Sequence, residues 1–253
     1  MNGRPAATTR DTLLGGRVKL SQPAKGFRAA IDPVLLAAAV PARAGESALD
    51  AGAGTGAAAL CLAVRVPGAR VTGIELNGEL VALAKTNATD TGIADRVSFV
   101  VGDVCVSGIL APESFDHVLT NPPFALEGSG TVAPDPGKRL ATVEGSGGLE
   151  CWLDACLGLL KPGGWLTLIH RADRIDDVLA HLKGRAGGGV VFPLLPGVGK
   201  PAKRAIVAAR KGSSAPMATR SGLVLHGPGG GYTPEAEAIL RHAQALDLGL
   251  PRG

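Results

Sequence analysis

The residues able to do chemistry in this chain fall in four short stretches, each behind a run that reads as a strand. LDAGAGTG (49–56) sets Gly52, Gly54 and Gly56 behind Asp50; GIELN (73–77) carries Glu75 and Leu76. VVGDV (100–104) ends in Asp103 and Val104, and FDHVLTNPPF (115–124) ends in Asn121, Pro122, Pro123 and Phe124. Glycines between a strand and a helix let the backbone approach a ligand closely and permit positive φ. Two patterns fit them. G-x-G-x-x-A over Gly52, Gly54 and Ala57 passes for a dinucleotide fingerprint, with Glu75 about twenty residues on. D-x-G-x-G-x-G from Asp50 suits a ligand carrying an ammonium group and a sulfonium, because a carboxylate sits badly beside a pyrophosphate. In both, Glu75 closes the second strand as an acceptor for ribose hydroxyls.

Taken singly, the other two stretches have plainer explanations. Asp103 alone suits a helix N-cap, and Asn-Pro is a common turn starter. Open α/β sheets bind ligands outside the carboxyl ends of their strands, and all four stretches fall at such ends in chain order.

Strands must alternate with helices to hold them there. The patterning predicts strands at 47–51, 70–76, 97–101, 115–120, 165–170, 190–195, 205–209 and 222–226. Helices are predicted at 56–66, 78–90, 147–160, 174–182 and 234–245, with another opened by Asp32 as N-cap and Pro33 at its first position. Lys161-Pro162-Gly163-Gly164 reads as the stop of the helix at 147–160. Such alternation predicts an α/β fold, a mostly parallel sheet with helices on both faces. PGVGKPAKR, between the strands at 190 and 205, is too short for a helical crossover, so an antiparallel hairpin is expected there.

The chain of 253 residues is 45% hydrophobic and 3% aromatic, so Ala, Gly, Val and Leu fill a sizeable core. Its first residues show no secretory pattern, and Val34–Val40 is too short to span a bilayer, so a cytoplasmic protein is expected. Four cysteines, at 61, 105, 151 and 156, have no Cys-x-x-Cys spacing, and the histidines do not cluster. Buried free thiols at Cys61, Cys105 and Cys156 are expected, without disulfides or metal. The net charge of +4 is unevenly spread: residues 1–31 carry +5, residues 32–177 carry −8, and residues 178–234 carry +8 with no acid. An acid-free basic stretch attracts phosphates, although a solvated basic face has the same composition.

The combination DAGAGTG, GIE, GDV and NPPF resembles the class I amino-methyltransferases. LLGGRVKLSQPAKGFRAAIDPVLLAAAVPA, NPPF and ARKGSSAPMATRSGLVLHGPGGGYTPEAEAILR are similar to the bacterial tRNA1(Val) adenine-N6-methyltransferase family, from about Asp11 to Leu246. The resemblance implies a Rossmann-like seven-stranded sheet with an antiparallel terminal hairpin. One domain is expected over 1–253: an N-terminal extension (1–40), a catalytic core (41–211) and a strand-helix extension (212–253). It implies S-adenosylmethionine as donor and S-adenosylhomocysteine as product. Asp50, Gly52, Gly54, Gly56, Glu75, Leu76, Asp103 and Val104 would contact the donor, with Gln22 to Arg28 folded over it; Arg28 could equally meet RNA.

Asn121 to Phe124 would then hold the target base. An adenine amino nitrogen is a poor nucleophile, its lone pair being delocalised into the ring. The Asn121 side-chain oxygen and the Pro122 carbonyl can accept both its protons, the prolines pre-place those acceptors, and Phe124 offers a stacking face. The implied partner is tRNA, with no membrane or metal, and a monomer or weak homodimer is expected. Lys200, Lys203, Arg204, Arg210, Lys211 and Arg220 are candidates for an RNA footprint. Lys138 and Arg139 are either solvated loop charges or part of a lid. A protein glutamine amide or an rRNA guanine amino group would suit NPPF too. A nicotinamide-dependent oxidoreductase would leave Asp50 and NPPF unexplained. The intact acceptor motif argues against a non-catalytic RNA-binding module.

Overall fold

SALDA at 47–51 is nearly all apolar and becomes a central strand, because a strand covered on both faces has no use for alternation. The structure, a computed structural model, describes residues 7–25, 28–123 and 148–250. Around β3 (Ser47–Ala51) lie β4 (Arg70–Glu75), β5 (Val97–Val101), β6 (Phe115–Thr120), β7 (Leu160–Arg171), β8 (Ala186–Gly197) and β9 (Arg204–Lys211). The short β10 (Ala218–Thr219) and β11 (Leu223–His226) both pair with β8. The sheet runs β10-β8-β9-β7-β6-β3-β4-β5, with β11 also on β8. Only β9 is antiparallel, to β7 and to β8, as the short PGVGKPAKR turn requires. Seven strands thus form the expected core, and β10 and β11 extend it to nine. From β3 the chain builds outward through β4 and β5, then returns to β6 on the other side, so the switch point lies between β3 and β6.

Helices cover both faces. On one face α1 (Asp32–Ala39), α2 (Ala57–Arg65), α3 (Gly78–Thr91) and α6 (Pro234–His242) share an apolar core in which Leu35, Leu60, Leu62 and Ile206 are fully buried. On the other, α4 (Gly148–Leu159) and α5 (Ile175–Leu182) pack Leu153, Cys156 and Val178 against Leu49, Leu166 and Val207.

Three expectations are corrected. Asp32 is not the cap of α1: Ile31 holds that position, and Asp32 opens the helix and pairs with Arg204 at 3.4 Å. Lys161-Pro162-Gly163-Gly164 does not lie between elements. β7 already begins at Leu160, and these residues bulge opposite Asp116, a place where a proline costs no ladder bond. Cys105 is half-buried rather than buried, while Cys61 and Cys156 are enclosed and all four thiols are free.

The N-terminal extension holds an unforeseen antiparallel hairpin, β1 (Thr8–Leu13) and β2 (Val18–Pro23). Asn87 of α3, fully buried, accepts from the Ser21 N–H at 2.8 Å and donates to the Ser21 and Thr55 carbonyls at 3.1 and 3.0 Å. The hairpin is thereby fastened to the glycine loop. At its other end, Arg17 donates to the Arg241 carbonyl at 2.8 Å, so the two extensions meet at α6.

Candidate active site

Strand register brings the four stretches into one row. Ala51 lies opposite Thr120 on one side and Ile74 on the other, and Glu75 lies opposite Val101. Adjacent strands are about 4.8 Å apart. The loops leaving β5, β4, β3 and β6 therefore form a continuous rim at the C-terminal edge of the sheet, with the switch point between the last two.

The glycine loop is held mainly by its own backbone. The N–H groups of Gly52 and Ala53 donate to the Ile74 carbonyl at 2.9 and 3.0 Å. All three glycines have positive φ (76°, 56° and 84°). Their surroundings differ. A β-carbon on Gly52 would stand 2.9 Å from Trp152, and one on Gly56 would stand 2.7 Å from Phe99, whereas one on Gly54 would enter open space. Packing alone requires Gly52 and Gly56, and Gly54 is the position open to a ligand.

Glu75 grips that loop: one carboxylate oxygen accepts from the Gly54 N–H and the other from the Asn77 N–H, both at 2.9 Å. Two oxygens offer about four lone-pair sites, so the carboxylate retains acceptor capacity toward hydroxyls. Asn77 in turn caps α3 by accepting from Glu79 N–H at 2.9 Å.

Asp50, expected to face an ammonium group, lies at the base of the glycine loop. It is 2% exposed and accepts from Ala59 N–H at 3.0 Å, in the first turn of α2. Burial pushes its pKa up to about 7, the Ala59 bond opposes this, and the Glu75 charge adds to it. Its observed contact secures the start of α2.

Asp103 accepts from Cys105 N–H at 2.9 Å, and Val104 is buried. Beside them Leu76, Val101, Val106 and Ile109 are exposed, a group of apolar side chains next to a carboxylate. Across the switch point, Pro122 is buried and Asn121 and Pro123 are half-buried. Phe124, Lys138 and Arg139 lie outside the described residues.

Two side chains unassigned in the sequence reinforce this row. Trp152 of α4 donates its indole N–H to Thr120 Oγ1 at 2.9 Å, and Thr120 donates to the Ala51 carbonyl at 2.8 Å. The same indole lies against Gly52. One tryptophan thus fastens the end of β3 to the end of β6, the residue before Asn121. Asn87 is the other; its signal was a polar residue on the buried stripe of Val81, Ala84 and Ala88.

The remaining candidates separate. Gln22 is 2% exposed but turns to Asp11 (3.1 Å) and to Ala29 N–H (2.7 Å), and Arg28 bonds Thr9 and Asp11, both at 2.7 Å. Their contacts tie the hairpin to the segment entering α1. Lys200, Lys203 and Arg204 sit at the β8–β9 turn, on the same edge as Asn121. Arg210 and Lys211 are at the far end of β9, about 20 Å away at 3.3 Å per residue. There Arg210 donates to the Gly163 carbonyl at 3.0 Å, and Lys211 donates to the Leu160 carbonyl at 2.7 Å and Glu113 at 3.0 Å. Arg220 donates to the Leu248 and Gly249 carbonyls. The expected single footprint of six cations is therefore divided by the sheet. His170, at the end of β7, is 2% exposed; burial and nearby arginines lower its pKa to about 4, so it is neutral at physiological pH.

The strand order and the ligand row define the fold as that of the class I methyltransferases. A family model for the methyltransferase small domain matches residues 29–134. A tRNA1(Val) (adenine(37)-N6)-methyltransferase of Porphyromonas gingivalis is 36% identical over 173 residues, 64% of this chain and 66% of that protein. A release factor glutamine methyltransferase of Moorella thermoacetica is 38% identical over 157 residues, 57% of this chain and 53% of that protein. The chain thus spans just under two thirds of the first relative and about half of the second. Among solved structures, a predicted O-methyltransferase from Agrobacterium tumefaciens superposes with a TM-score of 0.71 at 27% identity, covering 85% of this chain and 98% of its own. No helix among the described residues is long and apolar enough to cross a membrane. No group of three or more His, Cys, Asp or Glu suited to a metal occurs among them.

Proposed function

We propose that this protein transfers a methyl group from S-adenosylmethionine to the N6 amino group of an adenine in the single-stranded loop of a cytoplasmic tRNA, the purine just 3′ of the anticodon. The observation that carries the reading is the pairing of Ala51 with Thr120, which sets the glycine loop and Asn121-Pro122 at adjacent strand ends across the switch point. The donor fits the residues present: open space at Gly54, acceptor capacity on Glu75 for ribose hydroxyls, and exposed Leu76, Val101 and Ile109 beside Asp103 for an adenine ring. Bound there, the donor supplies an electrophilic methyl carbon on a sulfonium. Asp50 supports the loop and adds negative charge beneath a cationic ligand.

The chain's own work is to position the acceptor. Asn121 Oδ1 and the Pro122 carbonyl accept the two amino protons, favour a pyramidal nitrogen and aim its lone pair at the donor side. Phe124 would stack the splayed base. No strong base is needed, because the nitrogen becomes acidic only after it is methylated, and its proton passes to water. The likeness to the glutamine methyltransferase supports a second reading with the same chemistry on a protein amide. Asn121→Ala should lower kcat by at least about 100-fold while S-adenosylhomocysteine binds as before, measured by single-turnover transfer and calorimetry. Nucleoside analysis of tRNA from a deletion strain identifies the acceptor: unchanged N6-methyladenosine refutes the tRNA reading.

A further inference from the structure

Six large hydrophobic side chains are exposed among the described residues: Leu76, Val101, Val106, Ile109, Val198 and Tyr232. All six lie at the C-terminal edge of the sheet. The first four lie at or beyond the ends of β4 and β5, on the donor side. Val198 follows β8, and Tyr232 bridges to His226 at the end of β11, on the other side of Asn121. The donor does not account for these two.

We propose that the β7–β9–β8–β11 half of this edge is the landing surface for the single-stranded RNA carrying the target base, with Tyr232 as a stacking platform for a neighbouring base and Lys200 and Lys203 on the phosphates between. The inference rests on the methyl-transfer reading and adds where the substrate lies. Tyr232 is built into a fixed position. Its ring stacks on His226 with centroids 4.9 Å apart and planes 28° apart, and His226 Nδ1 donates to the Pro196 carbonyl at 3.0 Å. The HGPGGGY loop is closed by bonds from Gly227 N–H to the Gly231 carbonyl (2.9 Å) and from Thr233 N–H to the Leu225 carbonyl (3.0 Å). Tyr232 is nevertheless 36% exposed and Val198 is 76% exposed.

Distance and charge select the occupant. Four strand spacings separate β11 from β6, about 19 Å at ~4.8 Å each, too far for Tyr232 to hold the target base itself. Lys200 and Lys203 lie between, both exposed, within the stretch from Val178 to Pro234 that contains no acid. Of the carboxylates at this end, Asp173, Asp177 and Asp32 pair with Arg171, Arg174 and Arg204, while Asp176 and Glu235 are exposed; Lys200 and Lys203 supply the positive charge between Val198 and the start of β9. A cationic strip beside an exposed ring fits a flexible polyanion with stackable bases; an acidic or apolar peptide would use only half of it.

A ring pair across a hairpin base also stabilises the hairpin, so the test separates the two roles. Full-length protein is titrated with bulk tRNA and with a single-stranded loop oligonucleotide, alongside S-adenosylhomocysteine calorimetry and thermal unfolding. Tyr232→Leu should weaken RNA binding by roughly 5- to 100-fold, the range expected for one lost stack. Tyr232→Phe should restore it, and S-adenosylhomocysteine affinity should not change. Lys200→Gln with Lys203→Gln should make the salt dependence of log K shallower by about 0.7 per lysine. A lowered melting temperature with RNA affinity and salt slope intact would assign Tyr232 to the hairpin alone and overturn the landing surface. RNA methylation by wild type with unaltered Tyr232→Leu binding removes only this inference. Transfer by wild type to a protein amide and to no RNA overturns both.

Discussion

Trp152 touches both halves of the site at once. Its N–H holds the Thr120 hydroxyl, which holds the Ala51 carbonyl, and its ring fills the space a side chain at position 52 would need. Thr120→Val keeps the shape but removes the partner of the part-buried indole N–H and of the Ala51 carbonyl, at about 1–3 kcal/mol. Denaturant midpoints should show that loss, and Thr120→Ser should recover most of it. The glycines split in a related way. Ala at Gly52 or Gly56 meets both positive φ and a ring under 3 Å away, and should unfold much of the population. Gly54→Ala meets only the φ penalty, about 1–2 kcal/mol, and should fold yet bind S-adenosylhomocysteine poorly. If all three melt alike, the packing distinction among them is wrong. From sequence the three glycines looked equivalent, because the difference lies in Trp152 and Phe99, distant in the chain and brought close only by folding.

At the level of elements, the two strands flanking the switch point were legible because each is short, apolar at most positions and stopped by Gly or Asn-Pro. The β1–β2 hairpin was not. VKLSQP does bury alternate residues Val18, Leu20 and Gln22, but the third is an amide, which breaks the apolar alternation that marks a half-buried strand. Gln22 tolerates burial because it meets Asp11 and Ala29 N–H, partners no periodicity shows. β7 ran longer than expected because a bulge absorbed Pro162. The hairpin is tied to α3 through two side chains, exposed Thr91, which accepts from the Lys19 N–H at 3.0 Å, and buried Asn87. Asn87→Ala removes three bonds to backbone groups and should cost about 2–4 kcal/mol if the vacated groups stay dry. Hydrogen exchange should then speed up at the Ser21 amide, while amides in β3 and β6 stay protected. Equal loss of protection in both places would mean that the hairpin and the sheet open as one unit.

Over the whole molecule, two buried titrating groups act on stability with opposite sign. The Asp50 pKa rises from 3.8 to about 7 on folding, so between those values the folded state binds the extra proton and stability falls as pH rises. The His170 pKa falls from 6.5 to about 4, so over that window the unfolded state binds the extra proton and stability falls as pH drops. Each proton contributes about 1.4 kcal/mol per pH unit. Between pH 4 and 6.5 the two slopes oppose one another, with His117, also lowered by burial, adding to the histidine side. Wild-type stability should therefore rise only shallowly with pH across this range, and that shallow slope would conceal larger opposing terms. Asp50→Asn should make stability climb with pH more steeply than wild type, by up to ~1.4 kcal/mol per unit, and His170→Gln should tilt it downward by as much. Urea midpoints of the ligand-free protein at half-unit steps from pH 4.5 to 7 measure both slopes. Parallel curves for the three proteins would mean that neither group changes its proton affinity on folding. A cationic donor bound near the glycine loop would draw Asp50 back toward its ionised form. Donor binding in wild type should then release a proton near pH 6, which calorimetry in buffers of different ionisation enthalpy detects, and Asp50→Asn should abolish that release.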